Sequence, residues 1–111
     1  MKTEIFTFKV IVTKDIDDNV YLAHCLELDL VTSSSDIDKV VLEMSDIIAV
    51  HLQYCLENDN LTYMFRPAPI SEWELFFNCK DKQTDVYRKQ PFEIDNIIFT
   101  PEIRLEKCFV E

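Results

Sequence analysis

Residues Asn19–Met44, NVYLAHCLELDLVTSSSDIDKVVLEM, decide the fold of this chain. Within them, Val20–Cys25 and Leu28–Thr32 are short runs of β-branched and other apolar residues bounded by polar turn residues, which predicts two strands. The serines at 33–35 end the second run and form a turn. The stretch therefore predicts two short strands, followed by a serine turn that leads into the next element of the chain.

A long helix follows, predicted over Ile37–Glu57. Ser35 or Asp36 can cap it, because a short side-chain oxygen accepts from the first N–H groups of a helix. Its apolar stripe recurs at spacings of three and four residues, the period of a helix face: Ile37, Val40, Val41, Met44, Ile48, His51 and Cys55. Leu42, Ile47, Val50 and Leu52 widen that stripe, which indicates burial against a sheet and against a second element, such as another subunit.

On the N-terminal side, Ile5–Thr13 alternates and predicts a strand. Phe6, Phe8, Val10 and Val12 share one face of it, and Thr7, Lys9 and Thr13 share the other. The polar turn at 15–19 joins this strand to the next as a hairpin.

On the C-terminal side the patterns are weaker. Leu61–Phe65 predicts a fourth strand, and Ser71 with Glu74 has the spacing of a capping box that opens a short helix to about Asn78. Residues 79–91 are polar and predict a loop. Two further strands, Phe92–Phe99 and Glu102–Val110, are predicted on either side of Pro101.

The order of these elements predicts an α+β fold: a two-layer sandwich in which an antiparallel β-meander packs on one long helix (β-β-β-α-β), with a short helix and a β-rich tail. Residues 1–78 form the α+β domain. Residues 79–111 form an extended tail that completes the sheet or makes a homodimer interface, because an exposed strand edge invites pairing.

The chain contains no glycine, and this excludes glycine-dependent phosphate loops and dinucleotide fingerprints. Turns that need a positive φ must then use Asn or Asp. The candidates are Asn19, Asn58, Asn60, Asn78 and Asn96.

The formal net charge is −10, and it is concentrated in the first half of the chain. Residues 1–60 hold twelve acids and four bases, whereas residues 61–111 hold nine and seven. Acidic surfaces repel phosphate backbones, so nucleic-acid binding by the first half is disfavoured. A small basic protein is a complementary partner, although such charge also serves solubility alone.

Two features indicate a cytoplasmic protein with no membrane association: the apolar runs are shorter than a membrane span, and the N-terminus reads as a strand. The four cysteines, Cys25, Cys55, Cys79 and Cys108, are widely spaced, and free buried thiols are expected.

The central stretch resembles the HicB-like antitoxin family over about residues 4–65. The matching residues are Tyr21–Cys25, Glu27–Asp29, Val31–Thr32 and the helix that begins at Asp36. The resemblance implies a partial ribonuclease-H-like or double-stranded-RNA-binding-domain-like layer of three strands, a helix and a further strand. Many members add a C-terminal helix-turn-helix or ribbon-helix-helix region for DNA binding, whereas residues 79–111 look extended.

The resemblance implies a protein-binding module, not an enzyme, that masks a small basic toxin-like partner in a toxin–antitoxin system and needs no cofactor. The partner-binding residues we expect are Asp17, Asp18, Tyr21, Glu27, Asp29 and Trp73. Two alternatives stay open: a divergent ribonuclease-H-like nucleic-acid-binding or nuclease protein, and a stand-alone regulatory or structural relative.

Other candidate sites are weaker. Asp15–Asn19 lacks the glycine and distant glutamate of a calcium loop. A two-metal nuclease site would need Glu27 and Asp29 to converge with Asp15–Asp18 within about 4 Å of paired metals.

His51 and Cys55 have zinc-like spacing, but they also continue an apolar stripe, and His24 and Cys25 point to opposite faces of a strand. A Cys25–His51 dyad would need hydrogen-bond contact. The aromatic set Trp73, Phe76 and Phe77 favours a core over a partner groove.

Overall fold

The computed structural model describes residues 2–110, apart from the side chains at positions 2, 61 and 63. It has nine elements in chain order: β1 (Lys2–Asp15), β2 (Val20–Cys25), β3 (Leu30–Ser34), α1 (Ile37–Glu57), α2 (Leu61–Met64), α3 (Ile70–Phe77), β4 (Lys82–Arg88), β5 (Phe92–Ile94) and β6 (Ile97–Val110).

All six of these strands join one sheet, in the order β3-β2-β1-β6-β4, and β5 also pairs with β6. The meander β1-β2-β3 is antiparallel, whereas β6 runs parallel to β1. The α+β class, with one long helix packed on the sheet, is confirmed. The order β-β-β-α-β holds when the two short helices are passed over, and the strand that follows is β4.

The core lies between the sheet and α1. Phe8, Val10 and Val12 from β1 are buried there together with Ile103 and Leu105 from β6, since alternate residues of a strand share a face. Phe6 packs at the edge of this cluster, which confirms the predicted face of β1.

A smaller apolar cluster lies on the opposite face of the sheet. Ile11, Leu26 and Cys108 are buried there under Ala68 and Phe76. A Cys79–Cys108 disulfide ties the chain just after α3 to β6. The expectation of four free thiols is therefore wrong for this pair, because folding brings together two cysteines that lie 29 residues apart; Cys25 and Cys55 are free and buried.

Helix α1 has the predicted bounds, and Asp36 is its cap. The Asp36 carboxylate accepts from the N–H groups of Asp38 and Lys39 at 2.8 and 3.2 Å. The predicted stripe is wrong at His51, which is exposed, while the neighbouring Leu52 is buried.

The predicted strand at 61–65 is wrong. The Asn60 N–H closes the end of α1 by donating to the Cys55 carbonyl at 2.8 Å, and the chain then turns into the one-turn helix α2. Met64 thereby reaches the α1 core. The predicted capping box is also wrong: α3 begins after Pro69 without a side-chain cap, so Ser71 lies inside the helix.

The predicted loop at 79–91 contains strand β4, in which only Asp85 and Tyr87 are half-buried. Pairing with β6, not apolar alternation, defines this strand. Pro101 does not interrupt β6, because its carbonyl accepts from the Lys89 N–H at 3.0 Å and the strand continues beside β1. Among the described helices, none has the length and hydrophobicity needed to cross a bilayer.

Candidate functional site

The β1–β2 turn presents exposed carboxylates. The Asp15 side chain accepts from the N–H groups of Asp17 and Asp18 at 3.1 and 3.4 Å, which folds the turn and leaves both of those side chains exposed. Asn19 completes it with a φ of 53°. Asp17 and Asp18 are therefore placed by local hydrogen bonds and remain available to a partner.

The start of α1 lies at the same end of the sheet as this turn. Tyr21, at the beginning of β2, pairs with Ser34, at the end of β3, so the capping residue Asp36 follows nearby. Asp38 occupies the first turn of α1. We call the set Asp15, Asp17, Asp18, Asp36 and Asp38 the acidic end.

Tyr21 borders the acidic end. Its ring is half-buried against the α1 core and lies 5.5 Å from the Lys14 ammonium. The ring is thus partly engaged within the chain, while its neighbours in the turn are exposed.

Glu27 lies just after the other end of β2, and its side chain binds the backbone of β1. Its carboxylate accepts from the Lys9 N–H at 2.8 Å and lies 3.7 Å from the Lys9 ammonium. Burial raises the pKa of Glu27, which the hydrogen bond from the Lys9 backbone partly offsets. These contacts give Glu27 an intramolecular role.

Asp29 completes the β2–β3 turn with a φ of 52°. One of its carboxylate oxygens lies 2.6 Å from His24 Nε2, while His24 Nδ1 lies 3.8 Å from a Glu72 oxygen on α3. The imidazole therefore sits between two carboxylates and links the β2–β3 turn to α3.

Trp73 packs near this turn but contacts its own segment. Its indole N–H donates to the Ala68 carbonyl at 3.1 Å, and its ring stacks on Phe77 with centroids 6.2 Å apart. Phe76 is buried, whereas 62% of Phe77 is exposed. The aromatic set thus splits, with Phe76 in the core and Phe77 on the surface.

The six expected partner-binding residues thus form two groups. Asp17, Asp18 and Tyr21 lie at one end of β2, and Glu27, Asp29 and Trp73 lie around the other. Six strand residues separate the ends, roughly 20 Å at about 3.3 Å per residue. The structure does not bring the carboxylates of the two turns together as a paired-metal site would require.

The zinc-like and nucleophilic sets are also not assembled. Cys25 is buried in the core and His51 is exposed on α1. Burial, followed by the charge of Glu27, raises the pKa of Cys25 to about 12, so the thiol stays protonated and is a poor nucleophile. In the described part of the chain, no three His, Cys, Asp or Glu side chains group as metal ligands.

The sequence patterns did not reveal a cleft of about 620 Å³ between the C-terminal half of α1, α2 and the β2–β3 turn. Val50 and Tyr54 line it and are largely exposed. Val50, one of the apolar positions that widen the helix stripe, was the sequence signal for this surface.

The chain finds no match among protein-family models, curated proteins or solved structures. The geometry defines an α+β protein with an acidic end at the start of its long helix and an apolar cleft near the other end of that helix.

Proposed function

We propose that this chain is a non-catalytic binding module of the HicB antitoxin type, which uses the acidic end to mask a small basic partner. The observation that carries the proposal is the placement of the five carboxylates of the acidic end. The β1–β2 turn and the start of α1 bring them to one end of the sheet, although their sequence positions lie in two separate segments.

The electrostatics of the acidic end support a cationic partner. Asp36 and Asp38 lie at the start of α1, where the helix dipole interacts favourably with negative charge. Complementary charge accelerates encounter and selects among partners. A surface of this kind would bind Lys or Arg side chains that a toxin uses to hold RNA.

With the two short helices passed over, the order of elements is also the one that the HicB-like resemblance implies: three strands, a helix and a further strand in the same sheet, and that further strand is β4 and not residues 61–65. The proposal includes both the basic partner and a cytoplasmic location. The Cys79–Cys108 disulfide is the feature that argues against a reducing compartment.

The test is binding of any small basic protein encoded beside this chain, measured by calorimetry at low and moderate salt. The double variant Asp17→Asn/Asp18→Asn should weaken binding about tenfold, or about 1.4 kcal/mol, and reduce its salt dependence.

The matched control is Glu93→Gln/Asp95→Asn, which removes the same charge from exposed positions around the β5–β6 turn. It should leave the affinity within about twofold of that of the unaltered chain, a difference of about 0.4 kcal/mol. An equal loss in both variants, or no binding by the unaltered chain, would refute the proposal.

The proposal includes a homodimer through the C-terminal strands. β6 lies between β1 and β4 in the sheet, so both of its edges are already paired within the chain. We therefore place the dimer contact at the outer edge of β4. A dimer mass in sedimentation experiments would support this arrangement. A monomer mass for the unaltered chain contradicts it.

The nuclease alternative predicts metal-dependent RNA cleavage that disappears in Asp29→Asn. The separation of the two acidic turns argues against the paired-metal form of that alternative. A stand-alone regulatory relative would show neither cleavage nor a basic partner.

A further inference from the structure

The cleft beside α1 has the size of a small-molecule site. Its volume of about 620 Å³ lies within the range of about 300–1,000 Å³ that is common for small organic ligands. Leu28, Leu30 and Met64 form apolar parts of its wall. A ligand with an apolar body would bury carbon surface here.

Two large apolar side chains on the cleft are exposed on the same helix face. Val50 is 68% exposed and Tyr54 is 61% exposed, and residues four apart on a helix are neighbours. Adjacent exposed apolar side chains at a concave surface mark a binding site more often than isolated ones do.

The cleft is also lined by a positively charged side chain, Arg66. Arg66, among the described side chains, has no carboxylate within ion-pair distance. Arg88 and Arg104, on the opposite face of the sheet, both contact Glu102. Arg66 therefore differs from both of the other arginines in having its planar donors available to a ligand.

Two other polar side chains of the cleft can donate hydrogen bonds to an anion. His51 and Asn60 line it, and neither side chain has a hydrogen-bond partner among the described residues. Asp29 is the acid in the cleft wall, and His24 engages it at 2.6 Å.

We propose that this cleft binds a small amphipathic monocarboxylate. Its carboxylate pairs with the Arg66 guanidinium, which matches a carboxylate with two parallel N–H donors. Its apolar body lies against Val50, Tyr54 and Met64. This inference is independent of the masking of a basic partner, because the cleft and the acidic end lie at opposite ends of α1.

The test uses three probes with the same eight-carbon chain: octanoate, octan-1-ol and octylammonium. Each is titrated into the ¹⁵N-labelled full chain below its aggregation concentration, and amide shifts are recorded. Octanoate should bind most tightly and shift amides in residues 28–30, 50–55 and 64–66. Arg66→Gln should weaken octanoate about tenfold, equivalent to about 1.4 kcal/mol, and leave octan-1-ol unchanged.

Two matched controls separate the site from general effects. Arg88→Gln changes an exposed arginine on the other face and should leave octanoate binding unaltered. Val50→Asp should abolish octanoate binding, whereas Leu42→Asp, at an exposed position of α1 outside the cleft, should not.

The proposal is overturned by equal affinity for the three probes, by shifts confined to other residues, by Arg66→Gln binding as tightly as the unaltered chain, or by no saturable binding.

Discussion

Five residues take a positive φ in the described part of this glycine-free chain: Asn19, Asp29, Asp59, Asp95 and Asn96. Asn and Asp tolerate this region better than other residues with a Cβ do. The sequence predicted two of these positions, at Asn19 and Asn96. It was wrong at Asn58, Asn60 and Asn78, because the residue that turns the chain at a helix or strand end depends on neighbouring hydrogen bonds that composition does not reveal.

At the residue scale, Glu27 should act through its acceptor oxygen more than through its charge. Glu27→Gln keeps an acceptor for the Lys9 N–H, whereas Glu27→Ala leaves that donor poorly satisfied, at a cost of about 1 to 3 kcal/mol. Urea unfolding at pH 7 should therefore show Glu27→Ala to be the less stable variant. Equal stability of the two variants would contradict this role.

The same residue sets a pH dependence. Burial raises the folded-state pKa of Glu27, so its contribution to stability is present below the unfolded-state pKa and is lost as the pH rises through the folded-state value. The unaltered chain should therefore lose stability relative to Glu27→Gln as the pH rises from acid towards neutral. A stability difference that stays constant or moves the other way would show that the pKa is not raised.

The cysteines give a second prediction at this scale. Alkylation of the denatured chain without reductant should add two labels, at Cys25 and Cys55, and four after reduction. In the native state at pH 8, Cys25 should stay unlabelled, since burial raises its pKa to about 12. Four labels without reductant would show that the disulfide is not formed.

At the scale of elements, mutation can test which residue caps α1, since the sequence left Ser35 and Asp36 as candidates. Asp36→Ala should lower the free energy of unfolding by about 1 kcal/mol, within a usual range of about 0.5 to 2, because the carboxylate accepts from two N–H groups. Ser35→Ala is the matched control and should have little effect. Chemical denaturation measures both, and a larger loss in Ser35→Ala would reverse the assignment.

The elements also show which patterns carry information. α1 and β2 have the bounds that the sequence predicts, because helical periodicity over 21 residues and a short, mostly apolar run bounded by polar turns are strong local signals. β4 is polar and is formed by pairing with β6, a contact that no local pattern encodes. α2 has four residues and is set by the end of α1.

Some features of the candidate site were visible in the sequence, and others were not. The exposed acids of the β1–β2 turn were visible in the sequence as a polar, Asp-rich turn. The intramolecular role of Glu27 was not visible, because it depends on a contact with Lys9, 18 residues away, which only folding brings close. The role of Trp73 depends on how the chain turns into α3, which places its indole N–H on the nearby Ala68 carbonyl. The cleft was missed because Arg66 and Val50 belong to separate segments.

At the scale of the whole molecule, the two proposed surfaces are far apart. The acidic end surrounds the start of α1, whereas the cleft lies near its last turns. On α1, Val50 of the cleft follows Asp38 of the acidic end by 12 residues, roughly 18 Å at about 1.5 Å per residue. A net charge of −10 favours a basic partner at the first surface, and Arg66 provides local positive charge at the second.

The central claim is that the acidic end contacts a basic partner, and amide hydrogen exchange of this chain with any small basic protein encoded beside it tests that claim most directly. Slower exchange at residues 15–21 and 34–39, with β4 and β5 unchanged, is the predicted result. Protection confined to β4–β6, or no protection anywhere at saturating partner, would contradict the account.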